Sequence, residues 1–196
     1  TYLTEGLREV LKLAILRLTG KGGAPVVQLQ TSFGGGKTHT MLALYHLFGG
    51  EVRLSEVPDL AELVREVDED LPVANRAVIV GTKLSPTEPR VYPDGVVTHT
   101  LWGEIAYQLG GKEAYELVRR EDETGIAPGS DKVEELVFRY GPALILIDEW
   151  VAFARNLYHP DADLRLPTGS FDANLTFVQT LTEGAKRVKD ALVVAS

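Results

Sequence analysis

Pro25-Val26-Val27-Gln28-Leu29-Gln30-Thr31-Ser32-Phe33-Gly34-Gly35-Gly36-Lys37-Thr38 runs from an apolar segment into a glycine loop, and a helical pattern follows from Thr38 to Phe48. Strand, glycine loop, Gly-Lys-Thr and helix, in that order, predict a phosphate-binding P-loop. Successive backbone N–H groups and a helix N-terminus both favour anions. Glycines at 34, 35 and 36 let the backbone approach a polyphosphate without side-chain clash. Lys37 is expected to reach the β- and γ-phosphates, and the Thr38 hydroxyl to sit on Mg²⁺. The pattern departs from G-x-x-x-x-G-K-[ST] in one place, since Thr31 occupies the first glycine position. That is tolerable where the backbone need not adopt a positive φ.

A second element matches the first. Ala143-Leu144-Ile145-Leu146-Ile147-Asp148-Glu149 is an apolar strand ending in two carboxylates, with Asp148 lying 111 residues after Lys37. Asp148 is expected to hold Mg²⁺, directly or through water, and Glu149 to orient and activate the attacking water. A kinase-type P-loop protein has no need of Glu149, so this residue tilts the reading toward hydrolysis. Ser196, at the end of the next apolar run, is either a sensor of the γ-phosphate or an ordinary strand-end serine. Arg155, Arg165 and Arg187 are arginine-finger candidates only by rough position, and each reads as a surface arginine. The backbone of His39 is placed to touch phosphate, while its side chain reads as structural. His159-Pro160-Asp161-Ala162-Asp163 holds metal-compatible side chains but reads as a turn, because too few ligands converge. Phe33 and Trp102 read as packing residues rather than base-stacking platforms.

Between these motifs, strands alternate with helices. Leu3, Leu7, Val10, Leu11, Ala14, Ile15 and Leu18 recur at helical spacing up to Gly20-Lys21-Gly22-Gly23. A charged surface helix is expected over 59–70 and a short buried strand at Val78-Ile79-Val80-Gly81. Helices are expected over 100–109 and 112–120, then one capped by Ser130-Asp131 and broken at Gly141-Pro142. Helix 150–158 and a loop over 158–170 follow. A long amphipathic helix marked by Phe171, Leu175, Val178, Leu181, Ala185 and Val188 leads into a last strand. This alternation predicts an α/β fold, a three-layer P-loop NTPase sheet that is mostly parallel, with residues 1–196 as one core and 99–140 as a helical region within it.

The chain has 196 residues, 44% of them hydrophobic, no cysteine, and a net charge of −8. It can bury a core, and it has no disulfide or thiolate metal site. No apolar run approaches the roughly 20 residues that span a membrane, so no membrane partner is expected, and a cytoplasmic protein fits. The acidic balance argues against a chain-wide nucleic-acid surface. The chain starts at Thr1 and stops inside an apolar run, so it is expected to be an excerpt of a longer protein.

The run Phe33-Gly34-Gly35-Gly36-Lys37-Thr38-His39-Thr40-Met41-Leu42-Ala43-Leu44-Tyr45-His46-Leu47 resembles a family of large prokaryotic predicted AAA+ ATPases of unassigned function, some encoded beside DNA methyltransferases in defence-type gene clusters. Val80-Gly81-Thr82-Lys83-Leu84-Ser85-Pro86, the stretch from Thr100 to Gly110 containing Leu101-Trp102-Gly103-Glu104, and Ile147-Asp148-Glu149 share the resemblance. It implies an additional-strand AAA+ core with Lys37 and Thr38 in Walker A and Asp148 and Glu149 in Walker B. It also implies ATP and Mg²⁺ as cofactors and a homo-oligomer in the full-length protein. DNA or defence-system proteins are possible partners under this resemblance. The fifth strand and helical lid are expected beyond Ser196, so weak hydrolysis is expected from this stretch alone. A nucleotide-gated assembly module with little turnover, and a DNA translocase core, are the competing readings.

Overall fold

The computed structural model describes residues 4–30, 36–67, 69–158 and 165–196. Helix α1 (Glu5–Leu18) starts at Thr4, whose side chain accepts from the Leu7 N–H and so satisfies one of the free donors of the first turn. Strand β1 (Val26–Gln28) leads toward the glycine loop, and α2 (Lys37–Leu47) leaves it. Helix α3 (Pro58–Val67) precedes β2 (Asn75–Val80), and a 3₁₀ turn, Gly81–Lys83, follows. A small antiparallel hairpin comes next, β3 (Arg90–Val91) and β4 (Val97–Thr98). Helices α4 (Leu101–Glu116), α5 (Arg119–Thr124) and α6 (Ser130–Arg139) then lead to β5 (Ala143–Asp148). The described chain closes with α7 (Trp150–Leu157), α8 (Phe171–Arg187) and β6 (Ala191–Ala195).

The main sheet has the order β1-β6-β5-β2 and every pairing in it is parallel. Side chains on a strand alternate between faces, and here the alternation sorts the core into two layers. Ala143, Ile145 and Ile147 of β5, with Ala77, Ile79 and Val193, face α4, α6 and α8, where Trp102, Leu136 and Phe177 are buried. Leu144 and Leu146, with Leu192 and Val194, face α1, α2 and α3, where Leu11, Ile15, Leu44 and Leu63 are buried. Both faces of the sheet are thus covered, which is why β5 is apolar at every position before Asp148. The register sets Val80 beside Asp148 and Ile147 beside Ala195, so β2, β5 and β6 end at one edge.

Several local expectations shift. Strand β1 is shorter than 25–30, but Val193 N–H donates to the Pro25 carbonyl at 2.9 Å and Leu29 N–H to the Ala195 carbonyl at 2.8 Å, so pairing extends past its ends. Strand β2 begins three residues before Val78, and Gly81 belongs to the turn after it. Helix α3 stops at Val67 and buries Leu60, Leu63 and Val64, so it is amphipathic rather than a purely surface helix. The helices expected over 100–109 and 112–120 are one kinked helix and part of another. Gly110 and Gly111 leave helical geometry inside α4, with Gly111 at φ 63°, and α5 starts only at Arg119. Ser130 is the first residue of α6 and does not cap it; Gly129 holds the cap position, while Asp131 sits in the first turn, where a carboxylate complements the helix dipole. Leu175 is 42% exposed, because the buried stripe of α8 follows Asn174, Phe177, Leu181, Gly184 and Ala185.

Two buried carboxylates hold the hairpin onto the helices. Asp122 is fully buried and accepts from the N–H groups of His99 and Thr100, from the Thr100 hydroxyl at 2.6 Å, and from the Tyr115 hydroxyl at 2.9 Å. Its Oδ2 also lies 2.9 Å from His99 Nδ1. Glu104 accepts from Arg90, from the Tyr92 hydroxyl at 2.7 Å and from the Thr98 hydroxyl at 2.8 Å. Burial and the adjoining carboxylates push both tyrosine hydroxyls well above their ordinary range, so they remain neutral donors. The Gln108 amide is a fourth donor to Glu104, at 2.8 Å, and pairs with both the N–H and the carbonyl of Val78, at 2.7 and 3.0 Å.

Candidate functional site

The common edge of β2, β5 and β6 meets the first turn of α2. Gly36, at φ 116°, turns the chain into α2, and a side chain there would be strained. Thr40 N–H returns to the Gly36 carbonyl at 2.8 Å, and the first turn of α2 holds no acid. The N–H groups of Lys37, Thr38 and His39 have no acceptor among the described residues, as expected for the first turn of a helix that opens into a site. The Lys37 side chain has no hydrogen bond or ion pair among the described residues, and the His39 side chain is exposed.

Asp148 stands where β5 ends. Its Oδ2 accepts from the Thr38 hydroxyl at 3.3 Å, and its Oδ1 accepts from the Glu149 N–H at 3.0 Å and from the Ser196 hydroxyl. Ser196 is fixed by its own N–H, which donates to the Ile147 carbonyl at 3.0 Å. Three elements therefore orient one carboxylate. Glu149 follows with φ 56° and ψ 37°, and among the described residues it is the only one other than glycine at positive φ. Such a conformation costs a bulky residue roughly 1–2 kcal/mol and is held only where the surroundings over-determine it. Two features supply that constraint. The Thr82 hydroxyl donates to Glu149 Oε2, and Gly81 packs directly on the Glu149 carbonyl, so that a Cβ at 81 would lie 2.8 Å from its carbonyl carbon and closer still to its oxygen.

The arrangement brings together Lys37, Thr38, Asp148, Glu149 and Ser196. Phe33, Gly34 and Gly35 lie outside the described residues, as do Thr31 and Ser32 and the segment His159-Pro160-Asp161-Ala162-Asp163. Trp102 is fully buried against Phe177, with ring centroids 5.5 Å apart, and serves packing. Arg187 pairs with Glu134 at 3.2 Å on the surface, and Arg155 and Arg165 are exposed. Thr82 and Gly81 are absent from the sequence-based site. The readable sign was their position, immediately after a strand that runs parallel to the acidic one.

The donor chemistry suits a small hard cation. Mg²⁺ takes oxygen ligands and is usually bound by one or two carboxylates together with phosphate oxygens and water. Thr38 Oγ1 and Asp148 fit that need, and a cage of protein ligands is not required. Among the described residues no group of three or more His, Cys, Asp or Glu side chains forms such a cage, and no helix is long and apolar enough to cross a membrane.

No curated protein and no solved structure matches this chain. One family model does, over residues 1–195, and by that match the chain belongs to the family of the DUF499 N-terminal domain.

Proposed function

We propose that this chain is the ATP-binding core of a larger AAA+-type protein and that it hydrolyses ATP with Mg²⁺. The observation that carries the reading is the meeting of Thr38 and Asp148 at 3.3 Å, with Glu149 exposed beside them and no acid in the first turn of α2. The sheet order supports it too, because β6 lies between β1 and β5 and so separates the glycine-loop strand from the acidic strand. That separation is the arrangement expected of the additional-strand branch.

In this reading the first-turn N–H groups of α2 and the Lys37 ammonium bind the phosphates. Thr38 and Asp148 would hold Mg²⁺, which when bound neutralises charge on the β- and γ-phosphate oxygens. Ser196 orients Asp148 by donating to Oδ1. Glu149 accepts from Thr82 through Oε2, which leaves Oε1 to align a water and take up its proton. The same Thr82 bond supports a second reading, a nucleotide-gated assembly module with little turnover, because it engages one oxygen of the would-be base. A homo-oligomer of the full-length protein fits either reading.

Phosphate release and Mg-ATP binding by the full-length protein test this together. Lys37→Ala should abolish binding. Glu149→Gln should bind Mg-ATP as wild type does and lose hydrolysis by about 10²-fold or more. If wild type releases phosphate no faster than Glu149→Gln while binding is intact, the module reading replaces the enzyme reading. If neither protein binds Mg-ATP, both fall.

A further inference from the structure

A second cleft of about 560 Å³ begins at Thr38 and Asp148 and runs away from the nucleotide end of the site. Its floor follows from the register. Arg76, Val78 and Val80 lie on one face of β2, opposite Leu144, Leu146 and Asp148 of β5. Four residues of strand span about 13 Å, so the trough has that length from Arg76 to the Asp148 end. One wall is the face of α2 carrying Met41, Leu42 and Tyr45. The other is an aromatic pair, Tyr92 of the hairpin loop and Tyr107 of α4, stacked with centroids 3.6 Å apart. Tyr92 donates its hydroxyl to Glu104 at 2.7 Å. Both tyrosines line the cleft.

Arg76 closes the far end. Its guanidinium lies over the Tyr45 ring at 4.0 Å and donates to the Tyr45 carbonyl at 2.6 Å. Gly49 makes room for it, since a Cβ there would come within 2.6 Å of the guanidinium carbon. Only one edge of the fork is used, and among the described residues Arg76 has no carboxylate partner. A guanidinium with a spare edge in an apolar trough matches a carboxylate, which it can receive through paired N–H donors.

The geometry points to a binding site for a small organic acid with a flat or elongated apolar body, distinct from the nucleotide. Its carboxylate pairs with Arg76, and its body lies along Val78 and Val80 between Leu42 and the tyrosine pair. The volume lies within the roughly 300–1,000 Å³ of small-molecule sites. The inference does not depend on ATP hydrolysis, and the test is made without nucleotide.

Naphthalene-2-carboxylate is titrated into the protein by calorimetry and by ligand-observed NMR, with the neutral 2-naphthylmethanol as comparator. The acid should bind saturably and at least about ten-fold more tightly than the alcohol. Arg76→Gln should remove that preference, and Arg76→Lys should keep part of it. Because Arg76 also ties down the end of α2, Leu42→Glu provides an independent arm. Leu42 is 51% exposed, so the fold tolerates the change, while the added carboxylate should repel the acid and weaken binding at least ten-fold. Equal binding of acid and alcohol, no saturable binding of either, or wild-type affinity in Leu42→Glu would each overturn the proposal. Saturable binding of an apolar peptide in place of the small acid would assign the trough to a protein partner and overturn it as well.

Discussion

Gly81→Ala adds one methyl group at the point where the end of β2 meets the start of α7. The new Cβ would lie 2.8 Å from the Glu149 carbonyl carbon and 3.1 Å from the Cβ of Phe153. Neither is the loose end of a flexible side chain. Relief therefore needs backbone movement of about an ångström, and Phe153, only 1% exposed, has to move with it. Overpacking of this kind costs about 1–3 kcal/mol, and a rigid neighbour puts Gly81→Ala at the upper end, near 3 kcal/mol. For a chain of this length each kcal/mol lowers Tm by about 2–4 °C, so a fall of roughly 6–12 °C is expected. Urea unfolding should show the midpoint moving at constant slope. Phosphate release should fall further than stability alone explains, because Glu149 loses its position, while Mg-ATP affinity at Lys37 stays within a few-fold. A Gly81→Ala protein with the wild-type midpoint and wild-type turnover would refute the claim that Gly81 sets the conformation of Glu149.

Glu149→Gly removes the strain of a bulky side chain at φ 56° and should raise stability by up to about 1 kcal/mol in urea unfolding, while abolishing hydrolysis. Asp122→Ala strands the Thr100 N–H and hydroxyl proton in a buried site, while the Tyr115 hydroxyl keeps the Val97 carbonyl at 2.9 Å. At about 1–3 kcal/mol for each unsatisfied group, with partial relaxation, a loss of about 3–5 kcal/mol is expected, read from the same unfolding curves. Alkaline titration has a defined sign. Tyr92 and Tyr115 have folded values raised above the ordinary 10, so their contribution is complete below pH 10 and is lost as pH rises through the raised values. Tyr115→Phe should flatten that alkaline loss. Glu66 runs the other way. Hydrogen bonds from Lys12 and Arg8 lower its value, so its contribution is complete above pH 4.5 and fades as acid takes the pH through the lowered value.

The parts of the fold visible in sequence were those with a local physical cause. An apolar run ending in Asp148-Glu149 can only be a covered strand, and Gly36-Lys37-Thr38 fixes where α2 begins. The hairpin of β3 and β4 escaped, because two-residue strands leave no periodic trace and are held by Glu104 from a helix yet to come. Phe177 was hidden for a related reason. Leu175 offers the same hydrophobicity two positions away, and only the packing of α8 against α6 decides which of them turns inward. At the site, Asp148 and Glu149 announced themselves by charge at a strand end. Thr82 did not, since a hydroxyl becomes meaningful only once β2 and β5 are known to be neighbours in register.

The Gln108 amide, bonded to both backbone groups of Val78, bears on how this molecule behaves in concentrated solution. An outermost strand is a template for any stray extended chain. Here a side chain from α4 imitates one residue of such a neighbour and already fills the central rung of β2. An intruding strand would have to evict it and break its bond to Glu104. The price of losing this plug should be colloidal rather than catalytic. Gln108→Leu is expected to fold and to form multimers with rising concentration, seen by light scattering, growing from the β2 side of the sheet.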